Sequence, residues 1–63
     1  MTTIDKKRFA KAVRDYRQKK DLTQLELANK LVTTSNTVAR WEREETVPKS
    51  GLVLAKLKEL GII

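Results

Sequence analysis

The sequence predicts a compact all-α domain of four to five helices, and three observations support this. The chain has 63 residues, which allows a single small domain spanning residues 1–63. Apolar residues recur at helical spacing in several segments, whereas no segment sustains the period-two alternation of a strand. The chain contains no Cys and no His. Dense helical packing must therefore stabilise it without disulfides or a zinc site.

A first helix is expected from about Lys6 to Lys19, because apolar residues recur there three and four positions apart. They form one stripe: Phe9, Ala12, Val13 and Tyr16. Asp5 has a side chain suited to an N-cap. Ile4 and Phe9 stand at the spacing of a hydrophobic staple, which would fix how the chain enters the helix.

A second helix is expected from about Gln24 to Leu31, and its start is the clearest boundary in the sequence. Thr23 and Glu26 have the spacing of a capping box, in which each side chain accepts a hydrogen bond from the backbone of the other. The helix would bury Leu27, Ala28 and Leu31 and stop at the polar pair Thr33-Thr34.

A third helix is expected from Thr34 to Arg43, capped by Thr34 or Ser35. Val38 and Trp41 lie on one face, and we assign both to the core. The opposite face is polar: Ser35, Asn36, Arg40 and Arg43. A turn of three or four residues separates this helix from the second one. Residues 23–43 therefore have the layout of a helix-turn-helix unit.

A last helix is expected to begin near Ser50, because Pro48 breaks the preceding segment by lacking an amide hydrogen. Its apolar face is formed by four residues: Val53, Leu54, Leu57 and Leu60. Gly61 is placed to close this helix in a left-handed conformation.

The charge balance favours a polyanionic partner. The sequence has 14 Lys and Arg against 8 Asp and Glu, a net charge of +6, which attracts phosphates at long range. Nucleic acid, an anionic membrane surface and an acidic protein all fit that number. The lack of Cys and His removes thiol nucleophiles, the usual zinc sites and the His general base. We expect no enzyme, cofactor, metal or small-molecule substrate.

Asn36 and Arg40 select nucleic acid from these partners. They lie four residues apart and so share one helical face, and their side chains are of the types that read adenine and guanine by paired hydrogen bonds. No segment has the length of a membrane span or the apolar core of a signal peptide. We therefore expect a cytoplasmic protein that binds DNA and no membrane.

Two segments resemble the Cro/repressor family of helix-turn-helix domains, also called XRE-like. They are the run Leu22-Thr23-Gln24-Leu25-Glu26-Leu27-Ala28 and residues 34–42, and the likeness extends over nearly the whole chain. The resemblance implies a sequence-specific regulator that binds double-stranded DNA with helix 34–43 in the major groove. A repressor that occupies its operator and excludes polymerase is favoured over an activator.

The resemblance also implies roles for individual residues. Base contacts would come from four side chains: Gln24, Ser35, Asn36 and Arg40. Contacts to the DNA backbone would come from six: Arg17, Gln24, Thr34, Thr37, Arg43 and Lys49. Glu42 would serve as structural support, pairing with Arg17 and orienting its guanidinium toward a phosphate.

The chain departs from the family at three positions where glycine is usual. Val32 stands in the turn, and a β-branched residue in left-handed geometry costs about 1 kcal/mol or more. The turn is therefore a place where this chain can differ. Asp21 follows the first helix and Glu44 the third, and aspartate tolerates a positive φ better than glutamate does. We interpret Glu44 and Glu45 as a solvated loop.

The partner organisation leaves alternatives open. One domain reads about one half-site, which favours a homodimer on an inverted repeat. The apolar Ile62 and Ile63 fit either a dimer contact or docking against a further segment of a longer chain. A protein-interaction module on the same fold, such as an adaptor or an antitoxin subunit, is the rival function. Lipid binding through the first helix is disfavoured because its apolar stripe is narrow.

Overall fold

The computed structural model of the chain describes residues 4–63, and within this range it contains four helices and no strand. They are α1 (Lys6–Lys20), α2 (Gln24–Leu31), α3 (Ser35–Glu42) and α4 (Gly51–Leu60). The all-α prediction is confirmed, with the lower of the two expected helix counts. The boundaries of the first and third helices differ slightly from those expected. The first helix runs to Lys20, and the third runs from Ser35 to Glu42, with Thr34 as its N-cap and Arg43 as its C-cap.

Local side-chain caps define where the first three helices begin. Asp5 Oδ1 accepts from the amides of Lys7 and Arg8, at 2.8 and 3.2 Å. The capping box is complete, since Thr23 Oγ1 accepts from the Glu26 amide at 3.1 Å and Glu26 Oε1 accepts from the Thr23 amide at 2.8 Å. The N-cap of α3 is Thr34 rather than Ser35. These short-range contacts explain why the sequence located the helix starts well.

The core lies between the four helices and includes one aromatic pair. The rings of Phe9 and Trp41 meet edge to face with their centroids 5.2 Å apart, a favoured arrangement for aromatic side chains. Trp41 is 2% exposed, as expected of a core residue. The other buried members of this core come from every helix and from the C-terminal segment: Val13, Leu27, Ala28, Leu31, Val38, Val53, Leu57 and Ile62.

Some apolar residues differ from the sequence-based expectation. Ala10, which lies outside the expected stripe of α1, is completely buried, whereas Ala12 and Tyr16 are only partly buried. The two C-terminal isoleucines separate, since Ile62 packs into the core and Ile63 is 46% exposed. Most of the apolar surface of Ile62 is therefore buried within the domain and does not face a partner.

Each of the four helices is followed by a residue with positive φ, and only one of these residues is glycine. The angles are 55° at Asp21, 58° at Val32, 64° at Glu44 and 82° at Gly61. Val32 does not change the turn after α2. The turn closes in left-handed geometry, with the Thr33 amide donating to the Ala28 carbonyl at 3.0 Å. Val32 therefore adopts the left-handed conformation in spite of its energetic cost.

None of the helices within residues 4–63 has the length and hydrophobicity needed to cross a membrane.

Candidate nucleic-acid interface

The outward face of α3 presents polar side chains to solvent. Burial of Val38 and Trp41 on the inner face fixes the rotation of the helix, so Asn36 and Arg40 are exposed and Ser35 is partly exposed. Within residues 4–63, the side chains of Ser35 and Asn36 form no hydrogen bond. Their donors and acceptors are therefore available to an external partner such as a base edge.

The start of α3 carries two threonine hydroxyl groups. Thr34 Oγ1 accepts from the Thr37 amide at 3.2 Å and lies 2.9 Å from the Thr37 hydroxyl oxygen. This contact holds both hydroxyls beside the N-terminal turn. The partial positive charge of a helix N-terminus favours an anion at that position. The geometry suits the phosphate contacts expected of these two residues.

Glu42, the last residue of α3, forms a two-bond ion pair with Arg17 of α1. Arg17 Nε donates to Glu42 Oε2 at 2.7 Å, and Arg17 Nη2 donates to Glu42 Oε1 at 2.9 Å. The Glu42 side chain is only 8% exposed. These hydrogen bonds raise the pKa of the Arg17 guanidinium above its ordinary value. The pairing implied by the family resemblance is present, and it locks the end of α3 to α1.

Gln24, the first residue of α2, joins the same carboxylate. Its Nε2 donates to Glu42 Oε1 at 3.3 Å. An amide nitrogen carries two hydrogens, so one donor of Gln24 remains for another acceptor. The start of α2 is thereby held beside the end of α3.

Arg14 is a structural residue that the sequence analysis missed. Its Nη1 donates to the main-chain carbonyl of Glu42 at 2.7 Å, which places a cation at the C-terminal end of α3, where the helix dipole favours positive charge. The available signal was its spacing. Arg14 lies three residues before Arg17 and therefore on the same face of α1.

The two arginines at the end of α3 share a carboxylate that the sequence analysis assigned to a solvated loop. Arg43 Nε donates to Glu45 Oε2 at 2.5 Å, and Arg40 Nε lies 3.5 Å from Glu45 Oε1. The hydrogen bond from Arg43 is the main cause that lowers the pKa of Glu45 below its ordinary value. Glu45 is therefore a partner of these arginines, although its side chain is 45% exposed.

Comparison with known proteins identifies the family. A helix-turn-helix family model matches residues 13–62, which include most of α1 and all of α2, α3 and α4. The chain belongs to the Cro/C1-type helix-turn-helix family. No curated protein matches the chain, and no solved structure does.

The Cro/C1-type family is one of DNA-binding regulators and is typically non-enzymatic. The predicted resemblance is confirmed, and with it the expectation that double-stranded DNA is a partner. In this fold α2, the turn at Val32 and α3 form the helix-turn-helix unit.

The residues expected to contact DNA occupy three places in this Cro/C1-type domain. Ser35, Asn36 and Arg40 share the outward side of α3. A second group surrounds the helix termini: Arg17, Gln24, Thr34, Thr37 and Arg43. Lys49 is exposed in the segment between α3 and α4. Each role within this set remains a prediction.

Proposed function

We propose that this protein is a sequence-specific transcriptional repressor that places α3 in the major groove of its operator. The single observation that carries the proposal is the outward face of α3. There Asn36 and Arg40 project from a helix whose opposite side is fixed in the core. A helix of this kind fits the major groove, where amide and guanidinium groups distinguish adenine and guanine.

The groups around α3 support two separate roles, in which backbone contacts position the protein on DNA and base contacts read the sequence. Thr34, Thr37 and Gln24 would contact the DNA backbone near the start of α3, and Gln24 also a base edge. Arg17 is held by Glu42 at 2.7 Å and by the Leu22 carbonyl, which accepts from Nη1 at 3.1 Å. It would direct a remaining N–H of its guanidinium to a phosphate. Contacts to phosphates set register and orientation but carry no direct sequence information.

Two further backbone contacts would lie beyond the recognition helix. Arg43 and Lys49 are both exposed and follow the outward face of α3 along the chain. With a net charge of +6, the domain approaches DNA with favourable long-range attraction. Base reading is left to Gln24, Ser35, Asn36 and Arg40, and the repressor acts by occupying the operator and excluding polymerase.

Selection from a randomised duplex pool at about 150 mM salt tests this proposal, because charge alone binds weakly at that ionic strength. We expect enrichment of a defined sequence. Arg40→Ala should cost about 1–3 kcal/mol on the selected duplex and relax the preference at one base pair. Lys49→Ala is the matched control, since loss of a phosphate contact should weaken all sequences alike and reduce the salt dependence.

Two results would contradict sequence reading by α3. The first is a selection without enrichment, with binding that disappears as salt rises. The second is an equal loss on every sequence for Arg40→Ala and Lys49→Ala. Either result would direct the search to acidic protein partners, as expected of an adaptor or antitoxin subunit on the same fold.

We also propose that two copies bind an inverted repeat. One domain reads about one half-site, and two half-sites on one face of DNA lie roughly 34–36 Å apart. Sedimentation of the protein with and without the selected duplex tests this. We expect two copies per duplex, and a single copy on a palindromic site would overturn the proposal.

A further inference from the structure

After α3 the chain makes a tight turn whose backbone amides donate hydrogen bonds to carbonyls in the last turn of the helix. Arg43 is the C-cap, and Glu44 adopts a left-handed conformation with φ of 64°. The Glu44 amide donates to the Trp41 carbonyl, and the Glu45 amide donates to the Arg40 carbonyl, both at 3.0 Å. This pair of bonds is the Schellman arrangement. It places Glu45 directly beside the backbone of Arg40.

The carboxylate of Glu45 then lies between two guanidinium groups, with one oxygen near the Nε of each arginine. Its two oxygens lie 2.5 Å from Arg43 Nε and 3.5 Å from Arg40 Nε. Within residues 4–63, the terminal Nη atoms of Arg40 and Arg43 form no hydrogen bond. A guanidinium carries five N–H donors in a rigid fork. An arginine approached at Nε therefore still offers its Nη1 and Nη2 edge.

We propose that Glu45 is a positioning residue that holds the guanidinium of Arg40 in the orientation used to read a base pair. The inference rests on the proposed function, in which Arg40 contacts a base. An arginine that is 52% exposed samples many side-chain conformations, and ordering it on binding costs entropy. A carboxylate that restricts it beforehand reduces that cost only for the complex that uses the restricted orientation.

The charge of Glu45 acts in the opposite direction on sequence-independent binding. A carboxylate close to the DNA surface is repelled by phosphates whatever the base sequence. Glu45 should therefore weaken binding to any duplex and strengthen the preference for one. These two effects together distinguish a positioning residue from a simple surface charge. A surface charge would change the affinity for any duplex but not the preference for one sequence.

Glu45→Gln in the full chain tests the inference, with Glu44→Gln as the matched control. Both variants remove one negative charge, and Glu44 is exposed and forms no ion pair within residues 4–63. Binding is measured by fluorescence anisotropy at about 150 mM salt. The duplexes are the selected one, a variant at the base pair identified by Arg40→Ala, and an unrelated sequence.

We expect both variants to bind the unrelated duplex somewhat more tightly than the wild type does. Glu45→Gln alone should reduce discrimination at the base pair of Arg40, by about three- to tenfold, a fraction of what a complete two-bond contact provides. In an Arg40→Ala background, Glu45→Gln should leave discrimination at that pair unchanged, because its effect acts through Arg40.

Equal discrimination by Glu45→Gln and Glu44→Gln would overturn the positioning role, as would a further loss caused by Glu45→Gln in the Arg40→Ala background. Both results leave the proposed function intact, because the wild type would still select a sequence through Arg40. A wild-type chain without sequence preference, or one whose preference survives Arg40→Ala, would instead overturn the reading of bases by Arg40 and the positioning role together.

Discussion

Val32 is strained in the helix-turn-helix unit, and replacing it should stabilise the domain. Its φ of 58° and ψ of 46° lie in the left-handed region, where an L-residue with a Cβ costs about 1–2 kcal/mol. Glycine removes that strain but adds an entropic cost of about 0.5–1 kcal/mol on folding. The side chain is 61% exposed, so little apolar burial is lost. Val32→Gly should gain about 0.5–1 kcal/mol net.

Thermal unfolding followed by tryptophan fluorescence measures this gain. Trp41 is the only tryptophan in the sequence and is 2% exposed, so its emission reports loss of the core. The expected rise in Tm is roughly 2–8 °C for a domain of this size. Val32→Ala is the control, because it shortens the side chain and keeps the Cβ in the left-handed region. A glycine variant no more stable than the alanine variant would refute the reasoning.

Three further predictions concern other parts of the structure. Glu42→Gln should lower the free energy of unfolding by about 1–3 kcal/mol, since Arg17 loses a carboxylate partner. The control Glu59→Gln removes an exposed ion pair with Lys56, at 3.9 Å, and should change this free energy by less than about 0.5 kcal/mol. Equal effects of the two variants in urea unfolding would contradict the role of Glu42. Gly51→Ala should add about 0.4–1 kcal/mol in the same assay, because an added Cβ meets no atom within 4 Å, and a loss would count against this. In an NMR titration, Glu45 should have a pKa below its ordinary value, chiefly because Arg43 donates a hydrogen bond to it, and this pKa should rise in Arg43→Gln. Because folding lowers the pKa of Glu45, the interaction stabilises the folded state at a pH above the unfolded-state pKa, and this stabilisation is lost as pH falls through the folded-state pKa. An unchanged pKa in Arg43→Gln would show that Arg43 is not its cause.

Much of the fold follows from short-range signals in the sequence. The capping box of Thr23 and Glu26 and the N-cap Asp5 act within three residues. Such contacts depend on residue type and spacing alone, so the helix starts were predictable. The buried positions of Val38 and Trp41 followed from helical periodicity, which in turn placed Asn36 and Arg40 on the outward face.

The contacts that were missed depend on how the chain folds back on itself. Arg14 meets the carbonyl of Glu42 across 28 residues of sequence, a distance at which spacing gives no information on the partner. Glu45 reaches Arg40 through a turn in which Glu44 has a positive φ, a conformation that glutamate rarely takes. Residue preference argued against that turn, whereas two backbone hydrogen bonds, from the amides of Glu44 and Glu45, close it.

The unpaired side chains of Ser35 and Asn36 have a consequence for how recognition can change. Neither side chain forms a hydrogen bond within residues 4–63, so the folded state places few demands on their identity. The contacts that orient α3 come from elsewhere, chiefly from Trp41 and Glu42. The side chains at positions 35 and 36 can therefore be replaced without loss of the contacts that hold α3 in the fold. The domain is thus suited to acquiring a different target by a few surface substitutions.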